Sequence, residues 1–390
     1  MKILQIIPHY VPAFRFGGPL KVAHSLGKTL VALGNQVTVC TTNLKDEFSF
    51  LDVPIDKPVD IDGVTVFYEK VNSLRWWGYS RDFKTRITNE IKDSDVVITH
   101  FHYQYASHIG GLLARKNKKP LIVFAHGSLN KRGVLRKNTI LKYFYINLFE
   151  KRNFDNSAFI AYNCEEELQL SYFNEKGKVI PNGIDPLQFS ELPSPHVVRQ
   201  KNPQFTNKRV FLYLGRLNFR QKGLEILLPA FHKAVSKKSK IHLIIAGPDE
   251  RGGEIQVRKK VAELGLNKHV TLTGMLDDSK KLEYFQIADI FILPSPSEGL
   301  SIALLEALYM KLPVITTTGV GLHKLIQKKA AGVIIDYNQD QLTEAILSLT
   351  DDGNIVKNVG QGREIINDGF TWDKITQQFI EEIHTIVGIR

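Results

Sequence analysis

Twelve short apolar runs, six in each half of the chain, alternate with helix-like stretches, and that alternation admits few folds. In the first half KILQII, QVTVCT, GVTVFY, DVVITH, PLIVFAH and AFIAY read as strands. Helical periodicity covers Pro19–Leu33, Phe83–Lys92, Tyr105–Lys116, Asn138–Phe154 and Glu165–Phe173. The second half repeats the theme with RVFLYLG, IHLIIAG, HVTLTG, DIFILP, PVITTT and AGVIID. Strands that are apolar on both faces and separated by helices predict parallel sheets covered by helices on both sides, an α/β class of fold. Between the halves, Asp185–Arg209 is rich in Pro and polar residues and has no periodicity, the composition of a linker. The expected division is a first domain over 1–190, a linker over 191–208 and a second domain over 209–368. An amphipathic helix over 369–390 follows, with no strand after it.

The chain has 390 residues, 43% hydrophobic and 23% charged, which is enough for two or three ordinary cores. Two cysteines, Cys40 and Cys164, make no disulfide framework and suit a reducing compartment, so a cytoplasmic location is expected. No apolar run approaches the roughly 18 residues that a membrane span needs. The run after Met1 is cut off by Pro8 and reads as a first buried strand rather than a signal peptide. The net charge of +11 is concentrated. Between 115 and 152, eleven bases (Arg115, Lys116, Lys118, Lys119, Lys131, Arg132, Arg136, Lys137, Lys142, Lys151, Arg152) stand against the single acid Glu150. Tyr143, Phe144, Tyr145, Phe149 and Phe154 are interleaved, and Trp76 and Trp77 form a second apolar spot. A basic, aromatic surface fits peripheral attachment to an anionic membrane; the same pattern also suits a solvated helix face with the aromatics turned inward. No nucleic-acid module accompanies it, so no nucleic-acid partner is expected.

Glu298 and Glu306 are separated by seven residues in PSPSEGLSIALLEALYMKLPVITT. The first lies on a loop between a strand and a helix expected from about Leu300. The second is expected about two turns into that helix. The N–H groups of Gly299, Leu300 and Ser301 would open the helix and can bind a phosphate. Arg216 directly follows the strand LYLG, and Lys222 lies six residues on. Ligands bind beyond strand C-terminal ends in such sheets. Arg216 can fork onto phosphate oxygens, and Lys222 is a mobile point charge.

With these residues, with LGRLNFRQKGLEILLPAF, IIAGPDE, VTLTGML and VIPNGID in that part of the chain, the sequence resembles the retaining family 4 glycosyltransferases of the bacterial polysaccharide and lipopolysaccharide type. The resemblance implies the GT-B fold, in which two doubly wound Rossmann-like domains face each other across a cleft. The first would bind the acceptor and the second the nucleotide sugar, with the last helix packing back on the first domain. It implies transfer of a hexose-type sugar from a UDP- or GDP-linked donor to a glycan or lipid-linked acceptor. No permanently bound cofactor and no metal are expected. Arg216 and Lys222 would bind the diphosphate, Glu298 the sugar hydroxyls, Glu306 the ribose and His126 the sugar. Gly274 and Met275 lie where the base-binding loop would be. One departure is His323 and Lys324, standing where many members have Pro and Glu. Two other readings stay open: an epimerase or hydrolase acting on a nucleotide sugar, and a non-catalytic sugar-nucleotide or glycan-binding protein.

Gly17 and Gly18 follow the first strand and precede a helix, where glycine lets backbone approach a ligand; an ordinary turn with Pro19 at its helical end is the alternative. His126 follows the strand PLIVFA, and His100 and His102 flank Phe101 after another. No carboxylate or thiol at ligand spacing makes these histidines a metal site. Asp93-Ser-Asp95 falls at the N-terminal end of a strand and reads as turn chemistry.

Overall fold

The computed structural model describes residues 1–55, 57–129, 139–192, 194–350 and 359–388. The chain divides into two compact units. Unit 1 holds Met1–Asn182 and Trp372–Arg390, and unit 2 holds Gly183–Thr371.

Unit 1 is built on eight strands: β1 (Lys2–Ile6), β2 (Gln36–Thr42), β3 (Val59–Ile61), β4 (Val64–Glu69), β5 (Val96–His100), β6 (Leu121–Phe124), β7 (Phe159–Tyr162) and β8 (Gly177–Val179). Their order is β3-β4-β2-β1-β5-β6-β7-β8. All neighbours run parallel except the short edge strand β3, which is antiparallel to β4. β5, β6 and β7 are buried along their whole length, as strands covered on both faces must be. The order reverses at β1, with β2 on one side and β5 on the other, which makes the ends of β1, β5 and β6 neighbours.

Unit 2 is built on β9 (Arg209–Leu214), β10 (Ile241–Ala246), β11 (Val270–Gly274), β12 (Ile290–Leu293), β13 (Val314–Thr317) and β14 (Gly332–Ile335). They form an all-parallel sheet in the order β11-β10-β9-β12-β13-β14, which reverses at β9/β12. Each matches one of the six apolar runs of the second half of the sequence.

The short edge strands β3 and β8 answer to none of the six apolar runs of the first half, and three further segments differ from the sequence expectation. The stretch 191–208 is part of unit 2 instead of a linker. Pro195–Lys201 is a helix capped by Ser194, whose hydroxyl accepts from Val197 N at 3.3 Å. Val198 and Phe205 lie in the unit's core, and Arg199 donates to Ile287 O at 2.5 Å and to Asp289 at 2.8 Å. Ile184 and Phe189 also belong to that core, so the first crossing between units falls at Asn182–Gly183 rather than near 190. A few well-spaced apolar residues inside a polar, Pro-rich stretch give no periodic signal yet suffice to anchor it. The basic region is not one regular helix either: Thr139–Tyr145 and Lys151–Asp155 flank a π-turn over Ile146–Glu150. The extra residue per turn shifts the buried face, and Glu150 turns inward with 2% of its surface exposed. Finally, the helix after Glu298 spans Ile302–Tyr309, so Glu306 sits about one turn in rather than two.

The Trp372–Val387 helix packs on unit 1. Trp372, Ile375, Phe379 and Ile383 recur at helical spacing and are buried. Phe379 meets Phe124 edge-on at 5.5 Å, and Glu382 pairs with Lys178 on β8.

Candidate active site

In unit 2 the candidate residues collect beyond the C-terminal ends of the strands. Lys222 reaches Glu298 because its turn lies against the loop after β12. Gly223 has φ +72°, and a Cβ there would stand 1.9 Å from Pro294 O, so only glycine permits the approach. Lys222 Nζ and Glu298 Oε2 form a direct ion pair, with both side chains largely covered. The loop carrying Glu298 is tied at its backbone. Glu298 N donates to Gly319 O at 3.0 Å, and Gly321 N donates to Glu298 O at 3.0 Å. A Cβ at Gly319 would meet Pro296 O at 2.2 Å, which explains the glycine in TTTGVG. Gly299, Leu300 and Ser301 follow and lead into the Ile302–Tyr309 helix; Leu300 is buried, and Ser301 makes no side-chain capping bond.

Glu306 is 5% exposed. Its Oε1 accepts from Lys281 Nζ at 2.6 Å, and Lys281 also lies 3.3 Å from Asp278. Burial by itself would lower the Lys281 ammonium; the charge and hydrogen bond of Glu306, with Asp278, more than offset it and leave it raised. The two glutamates are therefore presented alike. A lysine pins one oxygen of each, and Glu298 Oε1 and Glu306 Oε2 have no protein partner among the described residues. Lys281 was not singled out in the sequence, since nothing local links it to a glutamate 25 residues away.

Arg216 follows β9 and Gly215. Its Nη1 donates to Glu250 Oε1 at 2.6 Å, while Asn218 Nδ2 donates to Glu250 Oε2 at 3.1 Å. Arg216 is 44% exposed at its side chain, so its guanidinium remains reachable from solvent. Gly274 ends β11 with φ +71°, its carbonyl accepts from Gly247 N at 2.8 Å, and Met275 beyond it is exposed. His323, at the departure from the family pattern, opens the His323–Lys328 helix, and its Nδ1 bonds to Val320 O at 2.9 Å.

In unit 1, Gly17 has φ +90° and ψ −152°, a conformation only glycine adopts readily, and Gly18 begins the Gly18–Ala32 helix with Pro19 in its first turn. His9, after β1, stacks on Phe16 with ring centres 3.5 Å apart, and burial lowers its pKa to about 3. His126 follows β6 at φ +48°, half-buried, with burial holding its imidazole down to about 3. Glu167 pins this turn: its two oxygens accept from Gly127 N at 2.6 Å and Asn163 N at 3.0 Å. Sequence reasoning passed over Glu167, one of three consecutive glutamates that look alike until the fold buries one. His102 is buried, and its Nδ1 lies 3.2 Å from the Ser128 hydroxyl. Among the described residues no group of three or more His, Cys, Asp or Glu is placed to hold a metal ion. Asp95 accepts from Lys2 N at 2.7 Å, away from the candidate groups.

Comparison with known proteins bears on both units. The glycosyl transferases group 1 profile matches residues 196–364, and the Glycosyltransferase Family 4 profile matches residues 16–187. The chain belongs to the family 4 glycosyltransferases. The fold is GT-B, with two Rossmann-like α/β domains. O-antigen chain mannosyltransferase C of Escherichia coli is 24% identical, over 99% of both chains. The UDP-Gal:alpha-D-GlcNAc-diphosphoundecaprenol alpha-1,3-galactosyltransferase of Escherichia coli is 25% identical, over 70% of this chain and 71% of its own. Among solved structures, sucrose-phosphate synthase from Thermosynechococcus elongatus superposes with a TM-score of 0.79 at 17% identity, covering 100% of both chains. This glycosyltransferase carries, in unit 2, its basic and acidic candidates at the strand ends where the Rossmann-like fold binds nucleotides.

Proposed function

We propose that this glycosyltransferase moves a hexose-type sugar from a UDP- or GDP-linked donor to a glycan or lipid-linked acceptor, with retention of anomeric configuration. The observation that carries the reading is the matched presentation of Glu298 and Glu306. Each has one oxygen fixed by a lysine and the other left for a hydroxyl. Glu298 takes hydroxyls of the donor sugar and Glu306 the ribose diol. Arg216 and Lys222 stabilise the departing diphosphate, where negative charge develops, assisted by the N–H groups of Gly299–Ser301 and by the Gly17–Gly18 loop. Backbone at Gly274 and Met275 meets the base. His126 positions the sugar. The resemblance to the retaining family implies that attack and departure take place on the same face of the sugar.

Two measurements test the reading. UDP, GDP and ADP, free and as sugar conjugates, are screened for thermal stabilisation; a ligand at 100 times its Kd adds about 2.7 kcal/mol. If none raises the midpoint, the donor assignment fails. The anomeric configuration of the product is then read by proton NMR, and an inverted product removes the retaining mechanism. Turnover is expected to survive a metal chelator.

The same proposal places the enzyme at an anionic membrane face in cell-surface polysaccharide assembly. Lys131, Arg132, Arg136 and Lys137 of the basic stretch lie outside the described residues. Within it, Leu141, Phe144 and Leu148 are exposed on the helical run, as is Trp76 elsewhere in unit 1. Some of the bases have local work: Lys119 caps the Arg81–Asp93 helix by donating to Lys92 O and Ser94 O, and Lys151 pairs with Asp155. No helix among the described residues is long and apolar enough to cross a membrane. Failure to sediment with anionic vesicles at low salt would end this part of the proposal.

A further inference from the structure

Three side chains from neighbouring strands of unit 1 form one hydrogen-bonded line. Gln5 on β1 and His100 at the end of β5 are wholly buried, and His126 follows β6. The strand order β1-β5-β6 sets them side by side. His100 Nε2 lies 2.8 Å from Gln5 Oε1, and His100 Nδ1 lies 2.9 Å from His126 Nε2. With the Gln5 amide turned so that its oxygen, which only accepts, faces His100 and its Nε2 is buried without a partner, the proton of this contact is on His100 Nε2. A neutral imidazole has a single N–H, which leaves His100 Nδ1 an acceptor and makes His126 Nε2 the donor. His126 Nδ1 is then a bare lone pair. It has no protein partner among the described residues, and it is not among the buried polar atoms sealed from solvent.

The rings are kept neutral by their surroundings. Burial, and then each other's proximity, holds His100 well below the usual imidazole range, and burial does the same for His126. The rings of Phe101, Phe124 and His100 also crowd that of His126, with centres 5.3, 5.8 and 5.2 Å away. The left-handed backbone of a non-glycine residue there costs on the order of 1 kcal/mol or more, and it persists only when its neighbours over-determine it. Glu167, the three rings and the line to Gln5 do so.

We propose that Gln5 and His100 are positioning residues that fix His126 as its Nε2–H tautomer, so that its Nδ1 lone pair receives a hydroxyl of a sugar substrate. The role of His126 rests on the transferase reading; the tautomer does not. The consequence is chemical selectivity. A lone pair accepts from a neutral hydroxyl and repels the oxygens of a phosphate, whereas an Nδ1–H would donate to either. At this point of unit 1 the enzyme is therefore built for a polyol rather than an anion.

The test uses the full chain labelled with nitrogen-15 at histidine, with His126→Gln to assign its signals. Long-range proton–nitrogen spectra at neutral pH are expected to show one pyrrole-like nitrogen, Nε2, and one pyridine-like nitrogen, Nδ1. In Gln5→Leu and His100→Phe that single pattern is expected to give way to a mixture. Turnover on the nucleotide sugar should fall roughly 10- to 100-fold in kcat, while the affinity for the free nucleoside diphosphate stays unchanged. A wild-type His126 that carries its proton on Nδ1, as a reversed Gln5 amide would dictate, overturns the proposal. So does a tautomer that survives Gln5→Leu. If a variant folds poorly, the wild-type spectrum still decides the direction of the line. If no donor is turned over at all, the transferase reading fails while the spectrum still judges the relay.

Discussion

In unit 2 each candidate carboxylate is held by a cation: Glu298 by Lys222, Glu306 by Lys281 and Glu250 by Arg216. In unit 1 the corresponding groups are neutral imidazoles and an amide, joined as Gln5, His100 and His126. Burial alone does not set the contrast, since Glu306 is 5% exposed and still paired with Lys281; the difference is that no opposite charge stands beside the imidazoles. Charging a ring sealed in unit 1 costs several kcal/mol, so its nitrogens exchange hydrogen bonds without charge. The Arg216 pair is open enough to keep both charges in water. An arriving polyanion can replace a carboxylate on Arg216, and a polyol can meet His126 without moving a proton.

The sharpest way to break this contrast is at Glu298. Glu298→Gln keeps size and removes charge, and kcat is expected to fall about 100- to 1,000-fold, a loss comparable to removing a transition-state hydrogen bond. Near-normal turnover with an unchanged melting midpoint would take Glu298 out of the site.

Arg216 and Glu250 should respond in opposite directions. Arg216→Ala is expected to abolish most of the thermal stabilisation by a nucleoside diphosphate, about 2.7 kcal/mol at 100 times Kd. Glu250→Gln leaves Arg216 uncompensated, so calorimetry should record tighter diphosphate binding, by roughly 3- to 10-fold. Weaker binding in Glu250→Gln would make that carboxylate a support rather than a competitor.

Stability against pH separates two kinds of buried group within unit 1. Burial raises Glu150 to about 7 in the folded state, from an ordinary carboxyl near 4.5. Its contribution is fully present below about pH 4.5 and is lost as pH rises towards 7, because the unfolded chain releases the proton first. Glu150→Gln should raise the midpoint above pH 7 by roughly a few °C and little at pH 4. His126 and His9, lowered to about 3, work the other way: their contribution is present above about pH 6.5 and fades as pH falls towards 3. A histidine signal of His126 titrating near 6.5 would refute its neutral setting. The smallest expected effect is that of salt. Diphosphate binding should weaken as ionic strength rises from 50 to 500 mM, by about 2- to 5-fold, with the His126 tautomer unmoved.

Much of this was legible in the chain. All six apolar runs of the second half became strands; the inner ones, β10, β12 and β13, are buried throughout and must be apolar on both faces, which is a local property. Arg216, Lys222 and Glu298 stood out because strand ends and glycine-bounded turns can be read from a dozen residues. The linker reading of 191–208 failed where Val198 and Phe205, too sparse to be periodic, find the core of unit 2. Glu150 read as the one acid in a solvated basic face, and a π-turn that no composition announces carried it inside.

The sequence by itself determined the two α/β units, all their strands but the short edge strands β3 and β8, and the charged residues at the strand ends, since those follow from hydrophobic period and turn chemistry over short windows. Only the tertiary structure decided that Lys281 meets Glu306, that Glu250 holds Arg216, that Glu167 pins the His126 turn and that Gln5 and His100 lie behind His126. The last of these joins residues 95 positions apart through the strand order β1-β5-β6. Strand order is set by how all the helices and strands pack together, and no local window of sequence contains it.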